Sequence, residues 1–345
     1  MAAQSKTLYQ RAESPTGRIA RGAMQNRRGG VSHKLAWLVL LASCCGANAS
    51  AAENNCAQLY EAQRYQAAWS ACRASAEQGD APGQLYLGLL YHDRGERDNA
   101  AHWYTKAAEQ GIARAQANLG WLYASGRGIP QDFGLAFAWF SKSATQGDAQ
   151  GELGLGLAYL HGLGVAQDSR LALPWLLRSA QQGNAYAQEH LGTVYAAGQG
   201  VLRDDEVAFA WYFKAAQQGL ARAQDAVARS YLQGRGVSRD YPQAREWFTR
   251  AALQGHSTAQ VSLGDMFAKG QGVAVDGMKA REWYTRAADL GDPEAQFRLG
   301  WLYERGLAGV MRDSELARNW YAKAASRGHS QARERLTASQ QGGSG

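Results

Sequence analysis

Apolar and small residues recur along this chain with two nested periods. Within a stretch such as residues 113–125, Ala115, Leu119, Leu122 and Tyr123 fall three and four apart, the spacing that puts side chains on one face of an α-helix. Over a longer range a tryptophan returns every 36 residues, at Trp103, Trp139, Trp175, Trp211, Trp247 and Trp283, and then at Trp320 after 37. A fixed period of this size marks stacked copies of one supersecondary unit rather than a single globular core.

The unit can be written out from residues 113–147. It reads Ala115, Gln116, Leu119-Gly120, Tyr123, Gly126-x-Gly128, Asp132, Ala136, Trp139-Phe140, Lys142, Ala144 and Gly147. The small and apolar residues up to Tyr123 predict a first helix. Gly126 and Gly128 end it, because glycine reaches the positive φ of a tight helix exit. Asp132 and its counterparts Asp168, Asp204, Asp240, Asp276 and Asp313 are placed to N-cap a second helix, which Gly147 closes. Trp139 and its counterparts fall at core spacing on that helix. The basic residue near its end (Lys106, Lys142, Arg178, Lys214, Arg250, Arg286, Lys323) suits the helix dipole from a solvated position. The frame holds for seven units over residues 81–328. A degenerate capping hairpin precedes them at residues 50–80, and a C-terminal capping helix with a polar tail follows at 329–345. The copy before Trp103 lacks the Gly-x-Gly insert, Ala228 stands where the others carry glycine, and Gly306 to Gly309 holds one extra residue.

The Leu-Gly-x-x-Tyr, Gly-x-Gly-[VI], Asp-x-x-x-Ala-x-x-Trp-[YF] and Ala-x-x-Gly pattern resembles the Sel1-like repeat, a longer relative of the tetratricopeptide repeat. The resemblance implies an all-α fold, a right-handed superhelical α-solenoid of antiparallel helix pairs. It also implies a non-enzymatic protein-interaction scaffold or adaptor, since members serve as assembly platforms, modulators of signalling and host-interaction factors. The first helices of such arrays line a concave groove. The alternative ligand is a polysaccharide or peptidoglycan, but the secreted members linked to peptidoglycan carry a cysteine pair in each repeat and this chain does not.

The net charge of +7 looks like a nucleic-acid signal until it is located. Residues 1–34 hold seven basic residues against Glu13, which leaves 30 basic and 29 acidic residues in the rest. A nearly neutral repeat body argues against nucleic acid as a partner. The basic stretch instead precedes an apolar run, Leu35 to Ala42, and small residues, the layout of a secretory signal over residues 1–49, with Met24 an alternative start. Two processing routes are open. Ala47-Asn48-Ala49 fits signal peptidase and release as a soluble periplasmic protein. Leu41-Ala42-Ser43-Cys44 fits a bacterial lipobox, with Cys44 lipidated and the membrane engaged only through that anchor.

Beyond the leader the cysteines are Cys56 and Cys72, flanking a hairpin whose turn is expected at Glu61 to Gln66. An oxidising compartment would let them form a disulfide; two free buried thiols are the alternative. Catalytic signatures are missing. There is no Ser-x-x-Lys, Gly-x-Ser-x-Gly, His-Glu-x-x-His, Cys-x-x-Cys or Gly-Lys-[ST]. Histidines are scattered over different repeat positions, so no catalytic residue, metal or cofactor is expected.

Function is then sought where the repeat is not fixed. On the first helix the residue after the glycine varies, with Trp121, Arg229, Asp265 and Trp301 among its occupants. Three residues earlier come Asn118, His190 and Arg298, and four before those Arg114 and Arg222. Offsets of four and three place them on one stripe. Trp121 and Trp301 would be aromatic anchors if exposed; packing against a neighbouring hairpin is the other reading.

Overall fold

The computed structural model describes residues 55–341, so the leader, its Met24 start, Ala49 and Cys44 lie outside the described residues. Among the described residues no helix is long and apolar enough to cross a membrane. The chain divides into two compact units, Met1–Gln182 and Gly183–Gly345.

The described part of the first unit is a run of eight helices: α1 (Cys56–Glu61), α2 (Tyr65–Glu77), α3 (Ala81–Asp93), α4 (Arg97–Glu109), α5 (Ala113–Ser125), α6 (Phe133–Thr145), α7 (Ala149–His161) and α8 (Ser169–Gln181). The second continues with α9 (Ala185–Ala197), α10 (Asp205–Gln217), α11 (Ala221–Gln233), α12 (Tyr241–Leu253), α13 (Ser257–Lys269), α14 (Gly277–Asp289), α15 (Pro293–Arg305), α16 (Ser314–Ser326) and α17 (Ser330–Gln341). Within each unit consecutive helices pair and stack, which makes it an α-solenoid. The expected caps form: Asp132, Asp168, Asp204, Asp240, Asp276 and Asp313 each accept a hydrogen bond from an amide in the first turn of the helix that follows. The extra residue after Gly306 is taken up by a bulged loop with a Leu307–Val310 bridge.

The core of most hairpins is the ring that follows the tryptophan, with Leu176 in its place after Trp175 and Tyr212 only half-buried. Tyr104, Phe140, Phe248, Tyr284 and Tyr321 are buried, and the opposing first helix meets most of them with glycine. A Cβ on Gly120 would stand 2.7 Å from two atoms of the Phe140 ring, and one on Gly88 2.6 Å from Tyr104. Phe140 is also enclosed by Gly154 of the next first helix. The one repeat with Ala228 keeps Phe248 fully buried in the same core.

The tryptophans differ from expectation. Of the seven periodic tryptophans only Trp247 is buried; Trp103, Trp139, Trp175, Trp211, Trp283 and Trp320 are half-buried. The basic residue three positions on does more than complement the dipole, because its cation lies 4.1 to 4.9 Å from the indole centroid in all seven repeats. The indole thus has one edge in the core and one face under a cation. The series reaches one hairpin further than the sequence period, to Trp69, which is covered by Arg94 at 3.6 Å.

At the start of the first unit Cys56 and Cys72 are joined by a disulfide, with Cα atoms 4.7 Å apart. The turn it closes is shorter than expected: α1 ends at Glu61 and α2 begins at Tyr65, with Gln63 at φ 59. Among the described residues no helix precedes this hairpin, and a crosslink of this span contributes about 3 kcal/mol by restricting the unfolded chain. At the other end α17 runs to Gln341, further into the polar tail than the residue pattern indicates.

A glutamine ladder ties hairpins together. The buried Gln84 and Gln116 donate to the carbonyls of Ala76 and Ala108, at 3.4 and 3.0 Å. Each accepts from a second glutamine 26 or 30 residues later, Gln110 at 2.7 Å and Gln146 at 2.8 Å. The next rung holds Glu152, 3% exposed, which accepts from Gln182 at 2.8 Å. Burial pushes the Glu152 carboxyl up, and Asp148 adds to this, while Gln182 and Arg178 oppose it.

Two outcomes follow from this packing. Gly120→Ala should destabilise the chain by about 1–3 kcal/mol, because Phe140 has to yield to the new methyl group; denaturant unfolding measures it, and an unchanged midpoint would remove the close approach as a constraint. Glu152 has a raised pKa in the fold, so its favourable protonated form is fully present below the ordinary glutamate range and is lost as pH rises through the folded value. Glu152→Gln should therefore be more stable than wild type at pH 7, by about 1 kcal/mol for one restored hydrogen bond. The gap should close as the pH is lowered towards 4, whereas a gap independent of pH would show that the carboxylate charge is not its cause.

Candidate partner-binding face

In the first unit the expected stripe is absorbed into the fold. Trp121 is 5% exposed and packs edge-on against Phe140, with centroids 4.9 Å apart, so it is a core residue and not an exposed anchor. The reason is its place beside Gly120: the residue after the glycine is carried to the side of the second-helix ring, and against a phenylalanine an indole fills that side. Asn118 is half-buried. Arg114 lies 3.6 Å from Glu61, and the Tyr86 hydroxyl donates to Glu61 at 3.2 Å. The Tyr60 hydroxyl donates to Asp93 at 2.7 Å, and its pKa is raised by burial first and by Asp93 second.

The second unit brings its stripe residues together as a lane of alternating charge that steps between first helices. Arg222 on α11 reaches Glu189 on α9 at 3.1 Å. On α11 itself Arg229 Nε donates to Asp225 at 2.7 Å, and the exposed guanidinium ends on the outer side. Asp265 on α13 accepts from the Tyr284 hydroxyl and from Lys269, both at 2.6 Å, and lies 3.5 Å from Arg298 on α15. Arg298 also pairs with Glu294 at 2.8 Å. His329 meets Glu294 at 3.0 Å and stacks on Phe297 with centroids 4.5 Å apart.

His190 is buried, which corrects its place on an open stripe. Burial lowers its pKa, against the opposing pull of Glu189, so the imidazole is neutral at pH 7. Trp301 is half-buried against the core formed by Val261, Tyr284 and Leu299, with the Arg305 guanidinium 5.2 Å from its ring centroid. It too is not a free anchor. The rule seen at Trp121 recurs here in polar form: the Tyr212 hydroxyl donates to Thr193 at 3.1 Å and that of Tyr284 to Asp265. The residue after the glycine position is matched to the end of the ring opposite, and its variation is partly a packing variable.

The residue pattern already put Glu294, which pairs with Arg298 and His329, on the stripe, but it missed Glu189 and Asp225, which hold Arg222 and Arg229. A signal existed for both, since that position is apolar in every other repeat: Leu85, Ala117, Leu153, Val261 and Phe297. Among the described residues no group of His, Cys, Asp and Glu side chains could hold a metal ion.

The comparisons with known proteins agree with this geometry. The Sel1 repeat model matches residues 81–112, 113–148, 149–184, 185–220, 221–256, 257–292 and 293–329. The chain is similar to the crystal structure of a protective antigen present in uropathogenic Escherichia coli strains, which displays an SLR fold. Identity is 37% and the TM-score 0.68, over 84% of this chain and 65% of that one, a little under two thirds of its length. It is also similar to a Sel1 repeat protein from Oxalobacter formigenes, at 29% identity and a TM-score of 0.63, over 70% of this chain and 96% of the other. No curated protein matches the chain. Seven consecutive repeat matches, covering the helix pairs from α3 to α16, show that the chain belongs to the Sel1 repeat family.

Proposed function

We propose that this chain is a non-enzymatic scaffold of the bacterial cell envelope that holds a segment of a partner protein along the first helices of residues 183–345. Sel1 repeat proteins are in general protein-interaction scaffolds. The observation that carries the reading for this chain is the lane from Glu189 to His329. The repeated residues are consumed in caps, rings and the glutamine ladder, while this lane is built from residues that the repeat does not fix. Its exposed members Arg229 and Lys269 leave charge at the surface, where a partner of complementary charge gains both specificity and association rate.

Export is supported by the signal-like residues 1–49 and by the Cys56–Cys72 disulfide, a bond that persists in oxidising compartments. The chain is then periplasmic or held at the outer membrane through a lipid on Cys44.

The test is crosslinking in intact cells followed by capture from the envelope fraction, with Arg229→Gln/Lys269→Gln run in parallel. Both side chains are about half exposed but their partners Asp225 and Asp265 are largely buried, so the variant is expected to melt lower than wild type, and capture is compared at a temperature where circular dichroism shows both proteins folded. A discrete protein partner is expected with the wild type and should be lost or much reduced with the variant. Recovery of the chain from the cytosol, or identical partners in both samples, would overturn the proposal.

A further inference from the structure

The fifth residue of the first helix faces inward in every repeat. It is Leu85, Ala117 and Leu153 in the first unit and Val261 and Phe297 in the second, all buried. In two consecutive repeats of the second unit the same position holds Glu189 and Asp225, only 5% and 7% exposed. Each carboxylate is half satisfied. Glu189 Oε1 faces Arg222 at 3.1 Å and Asp225 Oδ2 accepts from Arg229 at 2.7 Å. The remaining oxygens, Glu189 Oε2 and Asp225 Oδ1, are buried and accept no hydrogen bond. His190 Nε2 stands 3.9 Å from the first and His256 Nδ1 4.0 Å from the second, both beyond hydrogen-bond reach.

These carboxylates work against the fold. A buried acceptor without a donor costs stability, and apolar residues often replace a buried ion pair with no loss. The other repeats already show which apolar residues fit. A local conflict of this kind, repeated in adjacent units at one position, marks a functional site more often than a packing solution. The unmet chemistry is specific: two anionic acceptors on neighbouring first helices lack donors, while the arginines beside them are engaged on the other oxygens. An anionic ligand would be repelled at both points.

We propose that Glu189 and Asp225 are paired sockets for lysine or arginine side chains of a protein segment laid across α9 and α11. The incoming ammonium or guanidinium groups donate to Glu189 Oε2 and Asp225 Oδ1. His190 and His256, whose side chains are 10% and 22% exposed, form the outer wall and turn aside to admit them. Two sockets in consecutive repeats select two cations carried on one extended chain. The inference rests on the scaffold reading above and names the partner's chemistry.

The probe is fluorescein-labelled octalysine, titrated by fluorescence anisotropy into the full chain. Saturable binding is expected, weakened roughly tenfold or more in Glu189→Leu/Asp225→Val, the residues that Leu153 and Val261 supply elsewhere. That variant should melt at or above the wild-type temperature, so loss of binding cannot be loss of fold. Glu246→Gln/Glu282→Gln removes the same two charges from exposed pairs with Arg250 and Arg286, and should leave the affinity nearly unchanged. Absence of saturable binding, or equal weakening in both variants, would overturn the sockets. Partner capture in cells separates the two proposals: a partner retained by Glu189→Leu/Asp225→Val but lost with Arg229→Gln/Lys269→Gln would remove the sockets and leave the scaffold, whereas a partner lost with neither would remove both.

Discussion

The hairpins of this protein depend on a ring laid against bare backbone. Gly88 against Tyr104, Gly120 against Phe140, Gly264 against Tyr284 and Gly300 against Tyr321 all leave no room for a Cβ. This approach sets the distance between the two helices of a pair. On the same first helix the buried glutamine reaches the carbonyl eight residues back, in the preceding hairpin. The approach also turns the residue after the glycine towards the far end of the ring, where Trp121, Thr193 and Asp265 make an aromatic, hydroxyl and carboxylate contact respectively. A nominally variable position is therefore coupled to the aromatic residue 19 places later.

Much of the architecture was legible in the residues because its causes are local. Six aspartates cap six helices, glycines end the first helices, and the 36-residue spacing of tryptophan defines the hairpins. Depth was less legible. Trp139 and Phe140 are neighbours in sequence and both are large and apolar, so helical spacing alone assigns both to the inner face. Only the position of the opposing glycine decides that Phe140 takes the centre while Trp139 stays half out beneath Lys142. The same ambiguity placed Trp121 on a binding stripe. A step of about 100° separates an open face from a core-facing one, and the stripe lies at that border. The lane in the second unit was half visible: its arginines and Asp265 stood out, while Glu189 and Asp225, which hold Arg222 and Arg229, lay one position away from the series being compared.

Three carboxylates occupy places where the repeat otherwise puts neutral residues, yet they are not equivalent. Glu152 replaces a glutamine within the ladder and keeps the ladder's partner, Gln182. It changes the protonation of one rung and recruits no cation of its own within hydrogen-bond range. Glu189 and Asp225 replace apolar residues, and each is met by an arginine at one oxygen. The first is a local flaw in a recurring rung; the other two create a polar interior across two repeats.

Unmet acceptors are not confined to that interior, and the contrast shows which of them carry meaning. Gln260 Oε1 and Gln296 Oε1 are also buried without a donor. Their cause is visible: where the other repeats supply the donating glutamine, these two have Leu290 and, shifted one place by the extra residue after Gly306, Arg327. Arg327 keeps one ladder contact by donating to the Gly291 carbonyl at 2.8 Å. A neutral amide that has lost its neighbour costs less than a buried carboxylate, and a lost repeat partner accounts for it without a ligand. No repeat supplies a lost donor for Glu189 Oε2 or Asp225 Oδ1, because no other repeat has an acceptor there. The missing donor has to come from outside the repeat pattern, and at an ionised carboxylate in a low-dielectric setting the donor that best offsets the cost of burial carries a positive charge.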